Sequence, residues 1–391
     1  MGTAIAAAGV QCGLKVSITD VDPAVLAAAP QAIHEELTED VRPAADALLR
    51  TVDTVDDLAG CDIVIESVVE NLSLKQDLYR RIAGQLAPEA ILASNTSTIP
   101  IQRLAEGLSN PGRFCGIHFF HPVRRRPLVE IVRGSQTTDA TIARARSLAG
   151  RIEKMAITVG DGPGFLVNRL LCAYLNEALQ LLLEGVAGEC IEAAAVGFGM
   201  AMGPLELLDE IGLDTALRSG AVLAAAFPER AVASPILVSM VKAGRLGKKA
   251  GRGFFSHAAD STPNPRAAPR GAIAEHSSPP LDPAAEKAIA AWAEPRHDLP
   301  PDTIAARLFL PMLLESTRLL AENKVQRPDD IDLGVVFGLG FPAARGGLLY
   351  WADTVGAARI VDWLQPLAGL GPRAQPTPML IEMAQRGGRF Y

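Results

Sequence analysis

Two histidines and a glutamate lie in the stretch "GIHFFHPVRRRPLVEIV", which reads as two short apolar strands joined by a polar loop. His118 ends the first strand, and Glu130 lies on the second. Imidazole titrates near neutral pH and a neighbouring carboxylate favours its protonated form, so this pair is typical of a general base with an orienting acid. A buried histidine with a purely structural role is the alternative. The His118-x-x-His121 spacing could also indicate a metal, but no third ligand follows at a fixed spacing, so we predict none.

A second group of polar side chains follows another apolar strand. The sequence "SNTSTIP" (residues 94–100) comes directly after the apolar run "AILA" and includes Asn95 and Ser97. Ligands of open α/β sheets bind at the carboxyl ends of the strands, so this stretch predicts a binding loop. The alternative is a polar turn whose hydroxyl groups cap a helix that begins at Ile101.

The N-terminal stretch "MGTAIAAAGVQCGLKVSITDVDP" predicts a helix over residues 4–10 and a strand over residues 14–19 that stops at Asp20. Helix, glycine, strand and acid form the second half of a dinucleotide-binding βαβ unit. An acid at this position binds a ribose diol and repels a 2′-phosphate, which favours NAD over NADP. Met1 and Gly2 align with the end of the glycine fingerprint, so we expect the first strand, which is central in such a sheet, to be missing.

The composition excludes several classes of protein. The 391 residues predict two or three domains, and the net charge of −7 argues against a nucleic-acid partner, which needs clustered Lys and Arg. No apolar run approaches the roughly 18 residues of a membrane span. The five cysteines are scattered and form no CxxC pair, which indicates neither a disulfide framework nor a zinc site. We therefore predict a soluble protein of the reducing cytoplasm with no membrane partner.

Four regions follow one another along the chain. Residues 1–160 alternate helical patterns with short apolar runs such as "DIVIES", which predicts an α/β domain with a mainly parallel sheet. Residues 161–256 have helical spacing throughout. Residues 257–283 are rich in Pro, Ser and Ala without periodicity and read as a linker. Residues 284–391 return to helical spacing and predict a second helical domain.

The two helical domains read as an internal duplication. The segment "RLLCAYLNEALQLLLEG" from Arg169 is similar to "RLFLPMLLESTRLLAEN" from Arg307, which aligns Glu177 with Glu315. Chance similarity between two Leu-rich helices is the alternative. Immediately before Arg169 stands Asn168, whose amide is costly in an apolar helix unless it is paired. The second copy has Ala306 there, which indicates a function confined to the first copy.

Six motifs in this order resemble the 3-hydroxyacyl-CoA dehydrogenase family, in particular the dehydrogenase part of fatty-oxidation multifunctional α-chains: "MGTAIA…KVSITDVD", "IVIESVVENLSLK", "SNTSTIP", "GIHFFHPVRRRPLVEIV", "GDGPGFLVNRLL" and "GKKAGRGFF". The resemblance runs from Met1 to Tyr391. It implies an α/β Rossmann-type doubly wound sheet, here with its first strand missing. Two duplicated all-α domains, like the C-terminal domain of 6-phosphogluconate dehydrogenase, would follow it.

The resemblance also implies the reaction and the residues that perform it. An (S)-3-hydroxyacyl-CoA would be oxidised to the 3-ketoacyl-CoA, with NAD as the hydride acceptor. His118 would be the base that removes the hydroxyl proton and Glu130 would orient it, while Ser97 and Asn168 would hydrogen-bond the reacting oxygens. The residues of the NAD site would be Met1, Gly2, Asp20, Glu70, Lys75, Asn95, Ser97, His121 and Lys249, with His121 standing where the family commonly has Asn.

The sequence departs from the family in ways that leave other interpretations open. Pro30 should break the helix after Asp20, and a missing first strand would remove amides that cradle the pyrophosphate, so we expect weak NAD binding. Either the true start lies upstream of Met1, or the chain is a non-catalytic, truncated homologue with a role in oligomerisation.

The substrate and the partners are also expectations from the resemblance. The predicted role is in fatty acid β-oxidation, and 3-hydroxybutyryl-CoA is the alternative substrate because the sequence does not size the acyl pocket. Besides an acyl-CoA, the predicted partners are a second copy, bound through the helical domains, or a β-oxidation enzyme such as a hydratase or thiolase. The tandem repeat could instead cover that surface within one chain.

Overall fold

A computed structural model describes residues 1–257 and 280–391. The predicted linker over residues 257–283 lies almost entirely outside the described residues. The chain divides into two units, one made of Met1–Phe165 with Asn323–Gly338, the other of Leu166–Glu322 with Leu339–Tyr391. The predicted domain boundaries remain predictions.

Strands occur in the first unit, and helices occur in both. The strands are β1 (Val16–Ile18), β2 (Leu49–Thr51), β3 (Ile63–Glu66), β4 (Ile91–Ser94), β5 (Phe114–Phe119), β6 (Leu128–Arg133) and β7 (Met155–Gly160). The helices are α1 (Gly2–Gln11), α2 (Pro23–Glu36), α3 (Arg42–Leu48), α4 (Leu72–Ala83), α5 (Ile101–Leu104), α6 (Asp139–Arg151), α7 (Val167–Leu183), α8 (Gly188–Phe198), α9 (Pro204–Ile211), α10 (Leu213–Ala226), α11 (Pro235–Lys242), α12 (Pro283–Ala290), α13 (Pro301–Ala321), α14 (Pro328–Leu333), α15 (Leu348–Val355), α16 (Ala357–Leu364) and α17 (Pro378–Arg386). Among the described residues, no helix is long and apolar enough to cross a membrane.

The strands of the first unit form two separate sheets. β1 pairs with β2 in parallel, and the second sheet has the order β3-β4-β5-β6-β7, with an antiparallel pairing between β5 and β6 and parallel pairings elsewhere. The apolar runs predicted as strands are β3 to β6, and β4 and β5 are buried throughout, as strands covered on both faces must be. The predicted doubly wound, mainly parallel sheet is confirmed.

Helix α1 packs against the cores of both sheets. Ala4, Ile5 and Ala8 contact the core of the five-stranded sheet, whereas Ala6, Ala7 and Val10 belong to the core that includes Val16 and Ile18 of β1. Small side chains make this approach feasible, because a Cβ at Gly9 would lie 3.0 Å from Cγ2 of Val16. Within the described residues, β1 pairs with β2 alone and no strand connects β1 to β3.

The expected break at Pro30 is wrong. Helix α2 begins after Asp22, whose carboxylate accepts a hydrogen bond from the Ala24 N–H, and it continues through Pro30 to Glu36. A proline inside a helix removes one backbone hydrogen bond. Burial of Leu26, Ala29 and Ile33 on one face of α2 offsets that loss.

The second unit carries the duplication, and its two copies exchange charged side chains. The Arg169 Nε donates to Glu315 at 2.8 Å, and the Arg307 Nε donates to Glu177 at 2.7 Å. The remaining guanidinium nitrogens of Arg169 bind Glu322, as those of Arg307 bind Glu184. Because the aligned residues of α7 and α13 pair reciprocally, the two copies are related by a local pseudo-twofold axis.

Two further features of this duplication were missed from the sequence. Glu315 also accepts from Arg230, and Glu177 also accepts from Arg373. The Asp209 carboxylate accepts from the N–H groups of Phe254 and Phe255 at 2.8 and 2.9 Å. In the second copy, Asp353 accepts from the N–H groups of residues 390 and 391. The two copies therefore also share the contact in which an aspartate accepts backbone hydrogen bonds from the last residues of its copy.

Removing one of the shared carboxylates should destabilise the chain strongly. Glu315 contacts Arg169, Arg230 and Arg318, and its side chain is 9% exposed. Glu315→Gln would remove the buried negative charge that three guanidinium groups share, and breaking a buried ion pair typically costs about 3–5 kcal/mol. Glu382→Gln is the matched control, because Glu382 forms an exposed pair with Arg386, and such pairs contribute about 0–1 kcal/mol. Urea unfolding of both variants checks this, and equal losses would contradict it.

A buried carboxylate in α8 should make stability depend on pH. One oxygen of Glu192 accepts from the Leu205 N–H at 2.7 Å, and the other has no hydrogen-bond partner in the described part of the chain. Burial, assisted by the charge of Glu206, raises the pKa of Glu192 from 4.5 to about 7.

The folded state therefore holds this proton more tightly than the unfolded state does. The resulting stability is fully present below pH 4.5 and is lost as the pH rises through about 7. Relative to Glu192→Gln, the parent chain should lose about 2–3 kcal/mol between pH 4.5 and pH 8. Urea unfolding at both pH values measures this, and a constant difference between the two proteins would refute it.

Candidate active site

The site residues with the most defined geometry lie on β5 and β6. The antiparallel register of these strands places His118 directly opposite Glu130. The His118 Nδ1 lies 2.6 Å from the Glu130 Oε2, and the two residues are 6% and 0% exposed. The structure therefore brings together the two residues predicted as base and orienting acid.

The pairing with Glu130 fixes the roles of the two ring nitrogens of His118. A carboxylate accepts hydrogen bonds and does not donate them, so the hydrogen between the side chains belongs to Nδ1. In the neutral ring, Nε2 then carries the lone pair and is the atom that can take a proton. The ring packs against Phe120 and Phe165, with centroid distances of 4.6 and 5.8 Å, which restrict its rotation.

Asn95 connects the ends of three neighbouring strands. Its side-chain Oδ1 accepts from the Phe119 N–H at 2.8 Å, and its backbone N–H donates to the carbonyl oxygen of Glu66. Its Nδ2 donates to the Ser67 hydroxyl at 3.3 Å. The loop after β4 is thereby held next to the strand end that carries His118. Asn95 supports the site, and its predicted contact with NAD stays a prediction.

The loop after β4 is held by the carboxylate of Glu70. A single oxygen, Oε1, accepts from the Thr96 hydroxyl at 2.5 Å, from the Thr98 hydroxyl at 3.0 Å and from the Ser97 N–H at 3.2 Å. Burial raises the pKa of Glu70, but the Thr96 hydrogen bond and the positive charge of Lys75 outweigh it, so the net pKa is below the ordinary value. Glu70 is thus an anion that fixes the backbone beside Ser97.

Lys75 lies beneath Glu70 and is itself 1% exposed. Its Nζ is 3.2 Å from the Glu70 Oε2 and 2.6 Å from the Glu66 Oε1. Glu66 is the last residue of β3 and was not identified from the sequence. The signal was present, since an acid that ends an apolar strand in "IVIES" needs a buried partner.

The N-terminal end of the first unit fits a dinucleotide. The first turn of α1 has amides without intrahelical acceptors, and its N-cap residue Met1 makes no capping hydrogen bond. A Cβ at Gly2 would meet no atom within 4 Å, so a phosphate could approach these amides. Asp20 is exposed just beyond the end of β1, where an acid binds a ribose.

The other predicted site residues lie in different surroundings. His121 is exposed and precedes Pro122 in the loop between β5 and β6. Asn168 lies on α7 and Lys249 follows α11, so both belong to the second unit. The Lys249 ammonium pairs with Asp214 there. The contacts predicted for these three residues with substrate or NAD remain predictions.

Two family models match consecutive parts of the chain. Residues 1–162 match the model described as "3-hydroxyacyl-CoA dehydrogenase, NAD binding domain", and residues 164–257 match "3-hydroxyacyl-CoA dehydrogenase, C-terminal domain". Together they cover more than half of the chain, including both members of the His118–Glu130 pair.

Solved structures are similar over the same regions. A 3-hydroxybutyryl-CoA dehydrogenase from Escherichia coli K12 is 25% identical with a TM-score of 0.84, and the match covers 99% of this chain and 96% of that chain. An (S)-3-hydroxybutyryl-CoA dehydrogenase from Ralstonia eutropha is 39% identical with a TM-score of 0.62, covering 66% of this chain and 95% of that chain. The dehydrogenase part of multifunctional enzyme 1 from C. elegans shares the fold, with 23% identity and a TM-score of 0.66 over 98% of this chain and 86% of that chain.

The sheet, the paired histidine and glutamate and the two family matches lead to one assignment. The N-terminal domain is an NAD-binding domain, and NAD is the cofactor that it indicates. The chain is an oxidoreductase and belongs to the 3-hydroxyacyl-CoA dehydrogenase family.

Proposed function

We propose that the chain oxidises (S)-3-hydroxyacyl-CoA to 3-ketoacyl-CoA, with His118 as the base that removes the hydroxyl proton. The observation that carries this proposal is the 2.6 Å contact between the His118 Nδ1 and the buried Glu130. It leaves Nε2 as the basic atom and places a negative charge behind the ring that would become positive.

The proton step follows from this geometry. As the C3–H bond breaks, the hydroxyl oxygen must lose its proton, and Nε2 of His118 accepts it. Glu130 then stabilises the imidazolium through the hydrogen bond at Nδ1. When bound, NAD supplies the acceptor for the hydride that leaves C3. A positioned base contributes typically about 10²–10⁴-fold to the rate.

Other residues have proposed roles around this step. Ser97 and Asn168 are proposed to hydrogen-bond the reacting oxygens and so to orient the substrate. Asp20 would bind the adenosine ribose, and the first turn of α1, with Met1 and Gly2, would bind the pyrophosphate. The other residues of the proposed NAD site are Glu70, Lys75, Asn95, Ser97, His121 and Lys249. The fixed backbone at Ser97 supports the first of these roles, since Glu70 holds it in place.

A short acyl chain is the second candidate for the substrate. Two of the similar solved structures carry 3-hydroxybutyryl-CoA dehydrogenase in their names, and one of them is 39% identical to this chain. A role in fatty acid β-oxidation, with a hydratase or thiolase as partner enzymes, is the corresponding proposal for longer chains.

We place the protein in the cytoplasm, because its five cysteines are free thiols.

Substitution of the pair should lower the rate of acetoacetyl-CoA reduction by NADH. His118→Ala removes the proton carrier and should lower kcat by about 10²–10⁴-fold. Glu130→Gln keeps the ring contact but removes the charge behind it, so kcat should fall with little change in the KM for NADH. His297→Ala is the matched control, because His297 is exposed and lies in the second unit. Full activity of His118→Ala would rule out His118 as the base, whereas an inactive parent chain would favour the non-catalytic homologue.

Chain-length assays should separate the two substrate classes. We expect kcat/KM for 3-hydroxybutyryl-CoA to exceed that for a 3-hydroxydecanoyl-CoA, because the similar solved enzymes bear the name of the four-carbon substrate. Initial rates of NADH formation with both substrates measure the ratio. A ratio that favours the ten-carbon substrate would support the longer-chain role instead.

A further inference from the structure

Four buried polar residues meet below the loop after β4 and form what we call the Glu66 cluster: Glu66, Lys75, Tyr79 and Ser94. Their exposed fractions are 4%, 1%, 0% and 0%. Glu66 accepts from Lys75 at 2.6 Å, from the Ser94 hydroxyl at 2.8 Å and from the Tyr79 hydroxyl. Such a group is costly to bury unless every member is satisfied, and here each has a partner.

The ammonium of Lys75 has no donor left for a ligand. Its three hydrogens face three acceptors, namely the Glu66 Oε1 at 2.6 Å, the Glu70 Oε2 at 3.2 Å and the Val68 carbonyl oxygen at 3.4 Å. A direct contact between Lys75 and NAD, as the family resemblance implies, would require one of these contacts to break. Its position therefore indicates that Lys75 links two carboxylates, those of Glu66 and Glu70.

The two carboxylates that Lys75 connects have different environments. Glu66 is enclosed by β3, β4 and α4, whereas the side chain of Glu70 is 37% exposed. The other oxygen of Glu70, Oε1, accepts hydrogen bonds from the Thr96 and Thr98 hydroxyls and from the N–H groups of Ser97 and Thr98. A continuous chain of contacts thus runs from the interior, through Lys75 and Glu70, to the backbone of Ser97.

Stability alone does not explain this arrangement. Apolar side chains of similar volume usually stabilise an interior at least as well as a buried ion pair does. An ion pair does fix the orientation of its side chains, because the ammonium and the carboxylates have preferred hydrogen-bond geometries. The Tyr79 hydroxyl, whose pKa is raised by burial and by the charge of Glu66, stays protonated and donates to Glu66.

We infer that Lys75, held by Glu66 and Tyr79, is a positioning residue that fixes Glu70 and thereby the Ser97 loop for the reaction. This inference rests on the proposed function, because it assumes that Ser97 binds the substrate. In this role Lys75 acts on the Ser97 loop through Glu70, and the contacts with NAD predicted for Lys75 and Glu70 remain predictions.

Because the inference depends on the positive charge of Lys75, it can be tested by the pH dependence of a variant that lacks this charge and by rescue with a second substitution. The groups near Glu70 are Lys75 of α4, the Thr96 and Thr98 hydroxyls of the loop, Glu66 of β3 on the far side of Lys75, and the Tyr79 hydroxyl of α4. Without the ammonium, two carboxylates would face one another. At low pH they can share a proton, whereas at high pH both are charged and repel each other.

The experiment measures reduction of acetoacetyl-CoA by NADH between pH 6 and pH 9 in the full chain. Lys75→Met should lower kcat at least tenfold at pH 8, and the defect should be larger at pH 9 than at pH 6. The double variant Lys75→Met with Glu66→Gln removes both buried charges and should recover to within about threefold of the parent. Lys287→Met, at an exposed position on α12, is the matched control.

Hydrogen exchange at single amides gives a readout that does not depend on activity. The N–H groups of Ser97 and Thr98 bind Glu70, so they should exchange at least tenfold faster in Lys75→Met. The N–H groups of Ile101 and Gln102 bind Asp161 instead and should be unchanged. Tyr79→Phe, which removes one hydroxyl and keeps the ring, should show a smaller effect of the same kind if Lys75→Met does not fold.

The outcomes distinguish this inference from the proposed function. An inactive parent chain would refute the proposed function, and the exchange data would still decide whether Lys75 fixes the loop. An active parent with an equally active Lys75→Met, or a double variant no better than the single one, would overturn the inference alone. Equal exchange rates at Ser97 and Thr98 in both proteins would also overturn it.

Discussion

The burial of Glu130 is the constraint on which the candidate site depends. A carboxylate that is 0% exposed needs a hydrogen-bond donor at short range, and His118 on the adjacent strand supplies it. This contact exists because the chain reverses between β5 and β6, so that two residues 12 positions apart become direct neighbours. A register shift of one residue would turn one of them to the opposite face of the sheet. The same contact that makes Glu130 tolerable inside the protein also leaves His118 with one basic nitrogen.

The need of buried carboxylates for a partner also constrains the second, helical unit. Glu177 and Glu315 are both buried, and each is paired with an arginine from the other copy of the repeat. These pairs constrain how α7 lies against α13, because a sliding motion of either helix would separate charge from counter-charge. Apolar Leu-rich faces alone tolerate several registers, whereas reciprocal ion pairs favour one. The faces of α7 and α13 that carry these pairs therefore cover each other within one chain.

The sequence predicted the elements whose signals are local. Short apolar runs predicted β3 to β6, polar residues at their ends predicted the candidate site, and matching helices predicted the repeat. The partners that depend on the fold were not predictable: "IVIES" and "LSLKQDLY" do not reveal that Glu66, Lys75 and Tyr79 meet, since β3 and α4 must first pack. The Asp209 contacts with Phe254 and Phe255 were missed for the same reason. Helix α2 continues through Pro30 because tertiary burial of one face outweighs a local propensity.

The division of the sheet separates two parts of the site. His118, Glu130, Asn95 and Ser97 depend on β4, β5 and β6, which belong to a continuous five-stranded sheet with a large shared core. Asp20 depends on β1, which pairs with β2 alone and is held near the larger sheet by the small residues of α1. A two-stranded sheet is weak unless other elements cover it. The paired His118 and Glu130 therefore lie in the better supported part of the first unit. The end proposed to bind the ribose depends on how firmly α1 holds β1, so a loss of α1 packing would disturb Asp20 before it disturbed the His118–Glu130 contact.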